Sequence, residues 1–388
     1  TRKESSAASD VYKRQVYTMP EFLERRYNPQ SRTILSVISL VSYVLTKVAV
    51  TVYAGGLVFQ QVFGIKELWG IDFFWIAAIG LVVLTALYTI FGGMKSVLYT
   101  SVLQTPILLL GSLIILVLGF KELGGWDEMM RVCGAVTVND YGDTMTNLIR
   151  SNDDANFPWL GALIGSAIIG FWYWCTDQFI VQRVLSGKNE MEARRGTIFG
   201  AYLKLLPVFL FLIPGMIAFA LHQKYIGAGG EGFLPMLENG TANADAAFPT
   251  LVAKLLPAGV KGLVVCGILA ALMSSLASLF NSSAMLFTID FYKRFRPQTS
   301  EKKLVGIGQV ATVVIVILGI LWIPIMRSVG DVLYTYLQDV QSVLAPGIAA
   351  AFLLGICWKR TSAQGGMWGL ISGMVIGLTR LGAKVYYS

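Results

Sequence analysis

Residues 258–290 read AGVKGLVVCGILAALMSSLASLFNSSAMLFTID. Between Lys261 and Asp290 no side chain is charged, and the run exceeds the ~20 residues a helix needs to cross ~30 Å of hydrocarbon. Eight other stretches are similarly apolar: about 33–64, 71–93, 97–120, 158–182, 196–222, 304–326, 331–357 and 364–385. None alternates in the way a barrel strand must, and an open sheet edge in lipid would leave backbone groups unsatisfied, so all nine are expected to be helices. Composition agrees. The 388 residues are 55% hydrophobic and 14% charged, against ~25% charged in soluble domains. The expected fold class is an all-α, polytopic membrane protein with about nine transmembrane helices.

Charge placement sets the expected orientation. Arg25, Arg26 and Arg32, then Lys95, then Arg183, Lys188, Arg194 and Arg195 fall in alternate connections. Lys293, Arg294, Arg296, Lys302 and Lys303, and finally Lys359 and Arg360, continue the series, so these loops, with residues 16–32, are expected on the cytoplasmic side of the cell membrane. The opposite loops are longer, and 121–157 is acidic, with Asp127, Glu128, Asp140, Asp143, Asp153 and Asp154. A calcium site there is weighed against ordinary solvated charge, and the latter is preferred. The +8 net charge lies in clusters between apolar runs rather than on one face, so nucleic acid is not the expected partner. Cys133, Cys175, Cys266 and Cys357 are scattered, and the lone His222 builds no metal site. Residues 1–15, TRKESSAASDVYKRQ, have no signal-peptide core and read as sequence foreign to the rest.

Polar groups inside apolar runs cost free energy unless they face a cavity or a partner, which makes them the candidate functional residues. Lys47 is too deep to snorkel easily and suits either a buried carboxylate or a transport role. In GFWYWCTDQFIVQR (170–183), Tyr173 and Trp174 precede Thr176, Asp177 and Gln178. Aromatic faces beside hydrogen-bonding groups suit a sugar, and equally an interfacial aromatic belt. Lys204, near Pro207 and Pro214, is either a ligand or a snorkelling side chain. ALMSSLASLFNSS (271–283), with Ser274, Ser275, Ser278, Asn281, Ser282 and Ser283, offers hydroxyl and carbonyl oxygens to a hard cation, or forms a small-residue packing seam. Gln338 suits sugar hydroxyls or a helix–helix bond.

Together these stretches resemble the sodium/solute symporter family, specifically its sodium/glucose cotransporter branch. MPEFLERRYN, FGGMKSVLYTSVLQ, WYWCTDQFIVQRVLSGKN, LKLLPVF, MSSLASLFNSSAMLFTIDFYKRF and LAPGIAAAFLLGICWKR carry the likeness in the branch's order. The resemblance implies a LeuT-type inverted-repeat fold lacking its first helices. Residues 16–157 would hold the last three helices of repeat one, 158–357 repeat two, and 364–385 an additional helix. It also implies roles: Ser274, Ser275 and the Ala271 carbonyl for sodium, Tyr173 under the sugar, Trp174 beside it, and Lys204 and Gln338 on its hydroxyls. Lys47, Asp177, Gln178 and Ser278 remain accessory polar candidates. Gly170 departs from the asparagine of bacterial galactose-transporting relatives.

The expected function is sodium-coupled symport of a monosaccharide or polyol, with sodium as the coupling ion and no enzymatic chemistry. A sodium symporter for a non-sugar solute and a sugar-gated sensor or channel are the alternatives. Relatives that couple two ions carry an aspartate where Ser101 stands, and some a threonine where Ala277 stands, so one sodium per sugar is expected. The chain as it stands is expected to lack part of the sodium site and an acidic sugar ligand, and its oligomeric state is left open.

Overall fold

The computed structural model describes residues 18–154, 157–237, 240–329 and 332–387; the side chains of 88, 90–97, 100, 327–329, 381 and 384–387 also fall outside the described set. Residues 1–15 and the Lys95 side chain lie beyond it.

The first helices start on local side-chain caps. Thr18 accepts from Glu21 N–H at the start of α1 (Met19–Arg26), and Asn28 accepts from Ser31 N–H at the start of α2 (Pro29–Ser42). Each side chain satisfies a backbone donor that the first helical turn leaves open, and proline in that turn needs none. From α2 the chain passes through a π-helical turn, Tyr43–Val48, into α3 (Ala49–Phe63), which stops at Gly64 with φ +66°. That left-handed conformation is the reason for glycine there. A two-residue hairpin follows, β1 (Glu67–Leu68) antiparallel to β2 (Ile71–Asp72).

Helical residues then follow one another through α4 (Phe73–Leu123), across the FGGMKS stretch at which the sequence places a break between two spans. At 1.5 Å per residue such a run would reach ~76 Å, far more than one bilayer crossing. Its contacts with α11 (Ala258–Met285) explain the length. Leu81 and Leu272 converge on Gly55, whereas further along Ser101 meets Ser274, Ile107 meets Gly267, and Gly111 meets Val264. Contacts of the second half run backwards along α11. The chain therefore reverses near residues 90–100, and α4 is two spans within one helical run.

The longer loops, 121–157 and 223–257, carry short helices, α5 (Trp126–Gly134) in one, and a 3₁₀ turn, Ala244–Ala246, leading into α10 (Ala247–Leu255) in the other. Between them the run at 158–182 is broken. It comprises α6 (Trp159–Phe171), a π-helical turn Trp172–Thr176, an extended Asp177, and α7 (Gln178–Leu185). The next run is also interrupted, with α8 (Glu190–Leu203), a turn at Lys204–Leu205, a π-helical turn Val208–Leu212 and α9 (Ile213–Gly227). After α11 come the π-helical turn Leu286–Tyr292, α12 (Lys293–Phe295), α13 (Glu301–Val329), α14 (Leu333–Cys357) and α15 (Ala363–Tyr387).

Seven helical segments among the described residues are long and apolar enough to cross a membrane. Phe73–Leu87 is a shorter apolar helix, and the expected run at 364–385 is α15. Outward faces carry side chains such as Leu103, Leu321 and Ile376, each well over half exposed, as a lipid-facing surface requires. Two apolar clusters fill the inside. One joins α2 and α3 to α13 and α14, and the other joins the end of α4 to α9 and α10.

The basic loops meet at one end. Arg26 donates to the Gly355 and Trp358 carbonyls, Tyr27 to the Ala351 carbonyl and Arg294 to the Pro29 carbonyl. Arg32 pairs with fully buried Asp290 at 2.6 Å, and Thr18 and Ser36 also donate to that carboxylate. At the other end both Asp245 oxygens accept from Leu333 N–H at 3.1 Å, tying the 223–257 loop to the start of α14.

Candidate functional site

Asp177 is the pivot of the broken helix. Its φ of −76° and ψ of 121° leave the helical region, and its N–H reaches back five residues to the Trp172 carbonyl. The side chain caps α7 by accepting from Phe179 N–H at 3.1 Å. Tyr173, four residues before Asp177, lies across the π-helical turn from it, and both side chains converge on Lys47. Asp177 turns toward the first π-helical turn, where Lys47 forms an ion pair with Oδ2 and Tyr43 donates to Oδ1 at 2.9 Å. Tyr43 Oη in turn accepts from Phe179 N–H at 3.0 Å. Of the two readings of Lys47, the structure supplies the buried carboxylate.

The Lys47 ammonium also lies 5.2 Å from the Tyr173 ring centroid and 4.3 Å from that of Phe179. Tyr173 is thereby held by the ion pair behind it and meets Trp174 edge-on, with centroids 5.2 Å apart. Trp174 is half exposed, and Lys204 sits 4.9 Å above its ring. Lys204 is itself exposed at the helix interruption, so five candidates form one continuous line: Asp177, Lys47, Tyr173, then Trp174 with Lys204. Gln178 is not part of it. Its carbonyl accepts from Met19 N–H at 2.8 Å and its amide points at the Met285 sulfur, so it secures the start of α1.

Gln338 lies on α14, which packs against both the Trp172–Thr176 and Tyr43–Val48 turns. Its amide nitrogen donates to Tyr334 Oη at 2.7 Å, while its carbonyl oxygen is buried with no hydrogen-bond partner. Tyr336, two residues before it, fixes the helix against the first turn by donating to the Leu45 carbonyl at 2.8 Å. Trp322 N–H donates to the same tyrosine oxygen at 2.7 Å.

The serine run of α11 faces the second half of α4. Ser274 is buried, with its hydroxyl 2.6 Å from that of Ser101. Ser275 and Ala271 are partly buried on the same helix. Ser278 donates to the Ser274 carbonyl at 3.0 Å and accepts from Arg183 at 2.5 Å, while Gln182 donates to the Ser278 carbonyl. These oxygens are all neutral, a donor set that suits a monovalent hard cation. No group of three or more His, Cys, Asp or Glu side chains with metal-binding geometry occurs among the described residues, the acidic 121–157 loop included.

Sequence reasoning missed Tyr43, Arg183 and the Arg32–Asp290 pair. Asp290 had a legible signal, a lone carboxylate closing an apolar run. Tyr43 had none, since a tyrosine in a membrane helix is unremarked until its partner is known.

Discontinuous helices that bring aromatic, hydroxyl and ion-paired groups together within apolar runs point to a class, the helical secondary transporters. The profile of the sodium:solute symporter family matches residues 7–373, and the chain belongs to that family. It is 38% identical over 379 residues to sodium/myo-inositol cotransporter 2 of Homo sapiens, covering 95% of this chain and 55% of that protein. Identity to sodium/glucose cotransporter 4 of Mus musculus is 38% over 385 residues, covering 96% and 55%. To sodium/mannose cotransporter SLC5A10 of Bos taurus it is 39% over 385 residues, covering 95% and 62%. The chain thus spans little more than half the length of these relatives. Among solved structures, a substrate-bound, outward-open sodium-coupled sialic acid symporter superposes with a TM-score of 0.68 at 21% identity, over 95% of this chain and 77% of that one. The shared fold is the LeuT type expected from the motifs.

Proposed function

We propose that this chain carries the solute and ion machinery of a sodium-coupled symporter for a monosaccharide or polyol, working by alternating access. The observation that carries the reading is the likeness, across 95% of the chain, to cotransporters of myo-inositol and mannose. In this reading Tyr173 presents a ring to the apolar face of a sugar, with Trp174 beside it, and Lys204 and the unpartnered Gln338 carbonyl bond its hydroxyls. Sodium is held by the Ser274 and Ser275 hydroxyls and the Ala271 carbonyl. Ser101 adds a neutral oxygen where an aspartate would compensate a second buried cation, so the transport ratio is one sodium to one sugar.

Coupling needs no covalent step. If sodium and sugar favour the same arrangement of the broken helix, each raises the affinity of the other by the same factor. The basic end faces the cytoplasm, in keeping with the loop charges, and the membrane is the cell membrane. A carboxylate solute is a second reading supported by one observation, the exposed Lys204 cation over Trp174. The test is uptake of labelled glucose, myo-inositol, mannose and a sialic acid into proteoliposomes by a chain of the relatives' full length that carries this sequence. Uptake of a neutral sugar or polyol in sodium but not choline buffer is expected. Equal uptake in both buffers overturns the proposal, and uptake of the acid alone favours the second reading.

A further inference from the structure

A groove of about 580 Å³ runs between α4, α11 with its π-helical extension, and α13, away from the candidate solute and sodium residues. Ala86, Phe280 and Ala284 form one wall, and Leu304, Val305 and Val313 the other. Of the polar side chains along it, exposed Gln309 aside, the threonines and Asn281 are already engaged by their own helices. Thr89 donates to the Thr85 carbonyl, Asn281 to Ala277, Thr288 to Ala284 and Thr312 to Gly308. A groove whose hydroxyls are satisfied within its helices suits a hydrocarbon chain, not a sugar. From Phe280 to Lys293 the helical rise is about 20 Å, enough to take a chain from the basic surface past the ~15 Å depth of one leaflet.

Two charges stand at the basic end of this groove, Lys293 and Glu301. Both are exposed, and neither forms an ion pair with the other or with any other described residue. Opposite charges that line one groove without pairing match a headgroup that itself bears both signs. An anionic headgroup would meet the Glu301 carboxylate unfavourably, and the neighbouring Lys302 and Lys303 do not line the groove. A choline headgroup meets the charges but has no N–H to donate to Glu301, whereas a primary ammonium does.

We propose that the groove binds one phosphatidylethanolamine molecule, with an acyl chain along the Phe280–Val313 cleft, its phosphate on Lys293 Nζ and its ammonium on the Glu301 carboxylate. The site lies on the outer surface of the helices and is independent of the transport reading. Delipidated protein is titrated with phosphatidylethanolamine, its N-methylated forms, phosphatidylcholine and phosphatidylglycerol of matched chains, and bound lipid is counted by native mass spectrometry. Phosphatidylethanolamine is expected to bind about fivefold more tightly than phosphatidylcholine, the scale of one exposed ion pair. Affinity is expected to fall with each added methyl. Glu301→Gln removes the preference and Glu301→Asp keeps it. Lys293→Gln weakens all three phospholipids, and Ala86→Phe blocks the groove with the helical circular dichroism unchanged. Equal binding of the three lipids, tightest binding of phosphatidylglycerol, or a preference that survives Glu301→Gln overturns the proposal.

Discussion

Replacing Asp177 with Asn keeps an oxygen for Tyr43 and Phe179 N–H but removes the charge opposite Lys47. The side chains of the pair are 3% and 12% exposed, so the remaining ammonium stays largely out of water with only aromatic faces around it. Breaking a buried pair from one side costs ~3–5 kcal/mol, because the uncompensated charge must be desolvated or relocated. Lys47→Met should cost less, because Asp177 retains two donors, each worth ~1–3 kcal/mol to a charged acceptor. The double variant Lys47→Met/Asp177→Asn has no buried charge at this point. It should therefore recover much of the loss, with a coupling energy of about 2–3 kcal/mol. Unfolding by SDS in mixed micelles, followed by tryptophan fluorescence, gives the four corners of the cycle. Single effects that add within ~0.5 kcal/mol would show that Lys47 and Asp177 do not act on each other.

Three further outcomes follow from other parts of the molecule. Gly373 lies so close to Gly347 that an added Cβ would stand 2.6 Å from the facing Cα, so Gly373→Ala should force α14 and α15 apart and cost ~1–3 kcal/mol, read by the same unfolding assay; an unchanged midpoint would contradict the close approach. Burial pushes the Asp245 carboxyl above its ordinary value of 3.8, against the Leu333 N–H and Tyr53 bonds that lower it. Its contribution to stability is then fully present below the unfolded value and lost as pH rises through the native one, so the stability of wild type relative to Asp245→Asn should fall as pH rises above the ordinary carboxyl value, and parallel profiles would refute it. Tyr173→Ala should weaken sugar binding by about 1–3 kcal/mol through the lost ring contact and any hydroxyl bond, and unchanged affinity would remove Tyr173 from the site.

The spans were legible because hydrocarbon thickness leaves a chain few choices, and the gathering of the Arg26, Arg294 and Lys359 segments at one end was legible from their basic residues. Hydropathy is blind to backbone geometry, however. The break at Asp177 falls inside a run that reads as one helix, and what opens it is a partner 130 residues earlier in sequence. The four π-helical turns among the described residues leave no mark in composition, yet Lys47, Tyr173 and Trp174 sit on two of them. At FGGMKS the chain reverses between two apolar stretches, as the sequence suggests, but the helix continues through the glycines, which composition does not reveal. The polar residues were found because each is costly in lipid. Their grouping was not, which is why Gln178 reads as a site residue and proves to anchor α1.

The reversal voltage tests sodium coupling most directly. A chain of the relatives' full length carrying this sequence is placed in proteoliposomes with opposed sodium and sugar gradients, and the potential at which net flux vanishes is measured as each gradient is varied. One positive charge per cycle is worth ~2.3 kcal/mol per 100 mV, so the null voltage is expected to follow a ratio of one sodium to one sugar. A null voltage indifferent to the sodium gradient would contradict sodium coupling itself, and a two-to-one slope would contradict the role given to Ser101.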